Sequence, residues 1–165
     1  MNKHELFESD RLLYKGIDED DTDILVKWRS DPELIRYFRN SEPITILSHM
    51  DWYRNSYLGN EKRFDYIIID KISGSKIGTV GASNIDFIKA SCEISYMIAE
   101  SDCRRKGFAH EAITAMTSKM REEKVNVFYA EIHCENTASV SLIKKLGWAL
   151  DSQRGDFLLF VTGGR

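Results

Sequence analysis

Arg104, Arg105 and Lys106 stand immediately before Gly107, where a strand-like run gives way to a helix-like one. The preceding run is Cys92-Glu93-Ile94-Ser95-Tyr96-Met97-Ile98, and helical spacing continues from His110 to Lys124. Cations beside a glycine at such a turn suit a diphosphate. The first N–H groups of a helix have no intrahelical partner, and that end carries partial positive charge. A glycine lets the backbone come close to the anion. The plain alternative is a solvated loop that starts a helix. The stretch is not a P-loop, since it lacks Gly-Lys-Ser/Thr, and it lacks the three spaced glycines of a dinucleotide fingerprint.

A second strand-like run, Val127 to His133, leads into Asn136-Thr137-Ala138-Ser139-Val140-Ser141-Leu142-Ile143-Lys144-Lys145-Leu146-Gly147-Trp148. Thr137 is suited to cap a helix with Val140, Ile143 and Leu146 on its apolar face, and Gly147 to end it.

These two elements, Arg-x-x-Gly-x-Ala at 104–109 and Asn-x-x-Ser-x-x-Leu-x-x-Lys-Leu-Gly-Trp at 136–148, resemble those of the GNAT superfamily of acetyl-CoA-dependent N-acetyltransferases. The resemblance runs from Arg11-Leu12 to the last hairpin. It implies an α/β (α+β mixed) fold: a mainly antiparallel twisted sheet of about seven strands, helices on both faces and a splayed central parallel pair. It implies acetyl-CoA as co-substrate and no metal. The pantetheine arm would lie along Met97, Ile98 and Ala99, with the Ile98 N–H facing the thioester carbonyl. The diphosphate would rest on the amides of Arg105, Lys106, Gly107, Phe108, Ala109 and His110, with Arg104 and Lys106 adding charge. Asn136 and Ser139 would contact the co-substrate. Lys145 either reaches its phosphate end or stays in solvent.

Acetyl transfer to an amine needs a base, an oxyanion donor and a group that serves the departing thiolate. Glu93 is the leading base candidate, on the strand where several relatives place a carboxylate. His133 is the second, and each has a purely structural alternative. Many relatives carry a tyrosine in the helix after Asn136 that protonates sulfur. The matching residue here is Ile143, which cannot. Ser139 matches a serine of the branch that acetylates ribosomal-protein N-termini and is a candidate hydrogen-bond donor. Tyr96 and Tyr129 are substitutes, though strand tyrosines more often pack in cores. Cys134 lies near the expected co-substrate as a nucleophile or, as a plain alternative, a small packed residue.

For the acceptor, Trp28, Arg29, Arg36, Phe38, His49 and Trp52 form an aromatic and basic set suited to a base ring and a phosphate. The pattern also resembles nucleotide-sugar N-acetyltransferases of the pseudaminic-acid pathway. A small-molecule amine, such as an amino group on a nucleotide-linked sugar, is the expected acceptor. A protein N-terminus is the alternative, and polyamines rank lower because the cations would repel them. A non-catalytic acetyl-CoA sensor is the reading of another class.

The elements must fit these residues into one domain over 1–165. Hydrophobic residues make up 42% and charged ones 30%, which indicates an ordinary globular chain. A net charge of -3 argues against broad nucleic-acid binding. No apolar run reaches the roughly 18 residues of a membrane helix, and the first residues lack a signal-peptide core. Cys92, Cys103 and Cys134 show no ligand spacing, which fits reduced thiols in the cytoplasm. A monomer or homodimer is expected. The tail from Thr162 to Arg165 suggests no partner surface.

Leu12–Tyr14 reads as the first strand, and Asp21-Thr22 as the cap of a helix containing Ile24, Leu25 and Trp28. Asp31-Pro32 starts a helix through Tyr37 and Phe38. Thr45–Leu58 is helical, with Leu47, Met50 and Tyr57 packing inward. Phe64–Asp70, Ile77–Ser83 and Ser91–Ile98 form an antiparallel meander, with a bend at Ile85–Lys89. The helix after Gly107 crosses to a parallel strand at Val127, and Trp148–Gln153 with Phe157–Val161 closes the chain as a hairpin.

Overall fold

The computed structural model describes residues 1–162; the tail residues 163–165 lie outside the described residues. Eight strands form one sheet: β1 (Leu6–Glu8), β2 (Leu12–Gly16), β3 (Phe64–Asp70), β4 (Lys76–Asp86), β5 (Ser91–Ile98), β6 (Val127–His133), β7 (Ala149–Arg154) and β8 (Phe157–Val161). Their order is β1-β2-β3-β4-β5-β6-β8-β7. Five helices accompany them: α1 (Thr22–Arg29), α2 (Pro32–Ile35), α3 (Ile46–Trp52), α4 (Phe108–Glu122) and α5 (Thr137–Lys145).

Side chains alternate across a strand, so a sheet covered on both faces needs apolar residues in consecutive positions. Strand β3 does this with Ile67 and Ile68, both fully buried. Ile68 joins Ala112, Met116 and Ile143 under α4 and α5. Ile67 joins Leu25, Trp28 and Tyr57 under the N-terminal helices.

Most expected elements are present, with specific differences. Strand β1 adds an eighth strand; three residues with Leu6 58% exposed show too short a pattern to be read. The helix from Asp31 stops at Ile35 instead of running through Phe38. Tertiary contacts take the following residues, because Tyr37 lies against His133 and Arg39 against Glu131 and Phe157. Leu47, expected inside, is 81% exposed; His49 is the buried residue of α3. The next turn widens, with the Leu58 N–H bonded to the Tyr53 carbonyl, and both Tyr53 and Tyr57 then reach the core. Asn136 caps α5 instead of Thr137, its Oδ1 accepting from the Ser139 N–H at 3.2 Å. Asp21 makes no side-chain cap to α1, because Lys15 and Lys76 hold its carboxylate at 2.7 and 2.6 Å.

One feature of the topology positions the site. Strands β5 and β6 pair in parallel at only three positions: Ser91 with Val127, Cys92 with Phe128 and Glu93 with Tyr129. Beyond Glu93, β5 continues against β4, while β6 pairs with β8 from Tyr129 to His133. A slot opens between them.

Candidate active site

Hydrogen-bond alternation decides which amides face the slot. The Ala99 N–H donates to the Ile77 carbonyl of the β4 side at 2.8 Å. In an antiparallel ladder the neighbouring amides point the other way, so those of Ile98 and Tyr96 face β6, beyond the last β5–β6 pair. Buried backbone donors need partners, so an extended ligand chain fits this edge as an added strand would. A cavity of about 950 Å³ occupies the slot and the space under the N-terminal helices. Its floor is one sheet face, carrying Asp65, Thr79, Ser83, Glu93, Ser95 and Met97. These residues share a face because their positions pair across the ladder, as in Ile67 with Thr79 and Thr79 with Met97.

At the end of β5 the chain makes the basic turn. Arg105 and Gly107 both have positive φ, 60° and 82°, and among the described residues no side chain caps α4. The Glu111 N–H is bonded to the Gly107 carbonyl, which leaves the amides of Phe108, Ala109 and His110 as the unpaired first donors of the helix. Arg104 folds back, its guanidinium donating to the Ile98 and Ala99 carbonyls at 3.2 and 2.9 Å. Phe108 is buried, with the Arg11 guanidinium 4.6 Å from its ring centroid. A second cavity of about 900 Å³ is lined by Gly107, His110 and Lys145, so Lys145 and the start of α4 converge on one space.

Glu93 faces the main cavity, its Oε2 accepting from Asn84 Nδ2 at 2.8 Å. His133 also lines it, between the rings of Tyr37 and Phe157, each with its centroid 5.4 Å away. Its Nδ1 accepts from the Glu135 N–H at 3.2 Å. A neutral ring so bonded carries its proton on Nε2. Asn136 and Ser139 line the cavity at the start of α5; with Oδ1 in the cap, the Asn136 NH₂ is the end still able to bond a ligand. Ile143 is fully buried. Cys134 is exposed and outside the cavity lining; burial pushes the Cys92 thiol up to about 12, on the face opposite Glu93.

The acceptor set divides. Arg29, Phe38, His49 and Trp52 line the cavity, whereas Trp28 and Arg36 do not. Trp28 is a core residue, 2% exposed, its indole N–H bonded to Glu100 at 2.9 Å. Arg36 turns outward to Glu33. Arg29 stacks on Phe38 at 4.9 Å and has no carboxylate partner among the described residues. Burial, and then the charge of Arg63, lower its pKa. The buried His49 Nε2 has no hydrogen-bond partner among the described residues, and burial followed by the charge of Arg29 lowers the ring's pKa.

Tyr37 and Arg39, in the aromatic and basic stretch expected to line the acceptor region, bridge to β6 and β8. Arg63 carries no such signal: it is ion-paired with Asp65 at 2.6 Å and lies 5.1 Å from the Trp52 ring, a neighbour on another element. Among the described residues no group of three or more His, Cys, Asp or Glu could hold a metal ion, and no helix is long and apolar enough to cross a membrane.

Residues 11–149 match the family described as acetyltransferase (GNAT) domain. The chain is 30% identical over 159 residues to a Bacillus licheniformis protein named uncharacterized N-acetyltransferase p20, covering 93% of this chain and 87% of that one. A crystal structure of a domain from Methanocaldococcus jannaschii superposes with a TM-score of 0.81 at 22% identity, over 93% of this chain and 99% of the other. A spermidine N-acetyltransferase from Vibrio cholerae, solved with CoA and spermine, gives 0.83 at 17% identity, over 93% and 96%. At such identities these two structures are likenesses of fold.

Proposed function

This chain belongs to the GNAT acetyltransferase family and is an acyltransferase, and from that premise we propose that it moves an acetyl group from acetyl-CoA to a primary amine by direct attack in a ternary complex. The observation that carries the reading is the continuity of the slot. Unpaired β5 amides lead past Ala99 to an uncapped helix start with three free N–H groups.

In this reading the Ile98 N–H polarises the thioester carbonyl and helps hold the pantetheine arm between β5 and β6. The amides from Arg105 to His110 hold the diphosphate, with Lys106 and Lys145 adding charge. The Asn136 NH₂ bonds the arm. Glu93 takes the amine proton, directly or through one water. What supports that role is its position on the cavity floor and its lack of an ion-pair partner among the described residues.

The acceptor bears a negative group in the same reading, as a nucleotide-linked amino sugar does. The cavity lining holds Arg29, Arg39, Lys62 and Arg63 against Asp65, Glu93 and Glu131, an excess of one positive charge from four minus three. Among the described residues of the cavity lining Arg29 is the part-buried cation without a counter-ion, and a phosphate would supply one. Trp52 and Phe38 offer flat apolar faces beside it.

The test is thiol release from acetyl-CoA with a panel of amines. A nucleotide-linked amino sugar should turn over and spermidine should not. Preference for spermidine or for an N-terminal peptide overturns the acceptor assignment, and CoA binding without release by any amine indicates a sensor. Loss of the acidic limb of the pH–rate profile in Glu93→Gln is the expected mark of the base.

A further inference from the structure

Glu131 follows Tyr129, the last β6 residue paired with β5, by two positions and shares its face of the sheet. Ala130 and Ile132 on either side are buried in the core under α4 and α5, so the alternation of β6 turns Glu131 toward the main cavity. Its partner comes from the segment between α2 and α3: the Arg39 guanidinium meets the Glu131 carboxylate within the cavity lining. The two side chains are unequally covered, Glu131 being 18% exposed and Arg39 58%. Arg39 also lies over the Phe157 ring, 4.9 Å from its centroid. The residues beside Arg39 both touch Arg29. Phe38 stacks under the Arg29 guanidinium at 4.9 Å, and the Asn40 carbonyl accepts from Arg29 Nη2 at 3.4 Å. Release of Arg39 from Glu131 therefore leaves a second cation in the neighbourhood of the first.

An ion pair in a cavity wall occupies both of its own charges. A ligand cation alone only replaces one positive group on Glu131 by another. A ligand anion alone draws Arg39 away and strips a largely covered carboxylate of its partner, which is costly. A ligand with both charges gives each residue a new partner.

We propose that the Arg39–Glu131 pair determines acceptor specificity by exchange, the ammonium of the acceptor taking Glu131 and its negative group taking Arg39. The proposal rests on the acetyl-transfer reading above and on an acceptor that bears a negative group. The ammonium stays on Glu131 until Glu93, on the cavity floor at the last β5–β6 pair, takes its proton. The amide product has no positive charge and keeps only half of the exchange. Arg39 then returns to Glu131, which favours release of the product.

Binding to the full chain saturated with CoA tests this, with UDP as a probe of negative charge alone and spermidine as a probe of positive charge alone. Glu131→Gln frees Arg39, so the Kd for UDP should fall about tenfold. Arg39→Gln frees Glu131, so the Kd for spermidine should fall about tenfold. Inhibition by an acetylated nucleotide-linked sugar should tighten in Glu131→Gln in parallel with UDP. Melting temperatures should stay near the parent's, because Arg39 is mostly in solvent. A pair that merely fastens the segment would weaken every ligand together or none. A Kd for either probe that rises or stands still in its variant overturns the proposal, as does unchanged product inhibition. Loss of fold in either variant also overturns it, because the pair would then be structural. So does absence of binding of both probes to the parent and the variants. If the parent acetylates no nucleotide-linked amino sugar, the acceptor reading fails, and the two probes still decide the exchange.

Discussion

The Glu111 carboxylate grips Arg11 at two points, Oε2 lying 2.7 Å from the side-chain Nε and Oε1 2.7 Å from the backbone N. Ser9 Oγ adds a third bond at 2.6 Å, and Arg11 Nη1 passes on to the Lys106 carbonyl at 2.9 Å. Burial opposes the Glu111 charge, but Ser9 and Arg11 outweigh it and hold the pKa below the usual carboxylate range. The start of the second strand thus braces the turn that presents the α4 amides. Glu111→Ala should weaken CoA binding about tenfold, or ~1.4 kcal/mol, by calorimetry. An unchanged Kd would show that the turn holds its shape unaided.

Asp21 has no exposed side-chain surface and binds both Lys15 and Lys76. Burial acts to raise its pKa, but the two lysines prevail and the net shift is downward. A depressed folded pKa contributes stability above the unfolded value near 3.8, and this contribution is lost as pH falls through the folded value. Asp21→Asn should cost about 3–5 kcal/mol at neutral pH, since it leaves lysines half-buried without their partner. Urea midpoints should show the gap between parent and variant closing below about pH 4. A gap independent of pH would contradict the assignment.

His133 should remain in the Nε2–H form while neutral, because its Nδ1 accepts from Glu135. Nitrogen NMR should find Nδ1 unprotonated at pH 8. His133→Ala removes the ring on which Tyr37 rests, so the KM for the amine should rise several-fold with a smaller change in kcat. A collapse of the pH–rate profile in this variant would instead assign the base to His133.

Ile143→Tyr would place a phenol where the side chain has no free surface. Overpacking of this kind costs about 1–3 kcal/mol. Lower thermal stability and no gain in acetyl transfer are expected. A faster enzyme of undiminished stability would show that the helix position alone decides who protonates sulfur.

Strands β3, β5 and β6 are legible in the sequence to their last residue, because each run is apolar or alternating and ends at turn residues. The turn at Gly107 is equally plain, since its φ of 82° favours glycine. Legibility fails where tertiary contact decides. Tyr37 and Phe38 carry the chemistry of a helix but leave it to meet β6 and the cavity. Leu47 looks like a core residue until the helix phase set by His49 is known. Trp28 looks like a stacking platform, but burial and Glu100 claim it. Arg11 and Glu111 stand 100 residues apart, and neither pattern nor propensity pairs residues at that distance.

The sheet is better regarded as two leaves, one of β1 to β5 and one of β6, β8 and β7, stitched together by a seam of three residue pairs. Past the seam no backbone ladder joins the leaves, so whatever lodges between them supplies the missing rungs. Ligand and architecture then share one free energy. The occupied protein should resist heat in proportion to the logarithm of ligand concentration over Kd, with its smaller leaf gaining the greater protection.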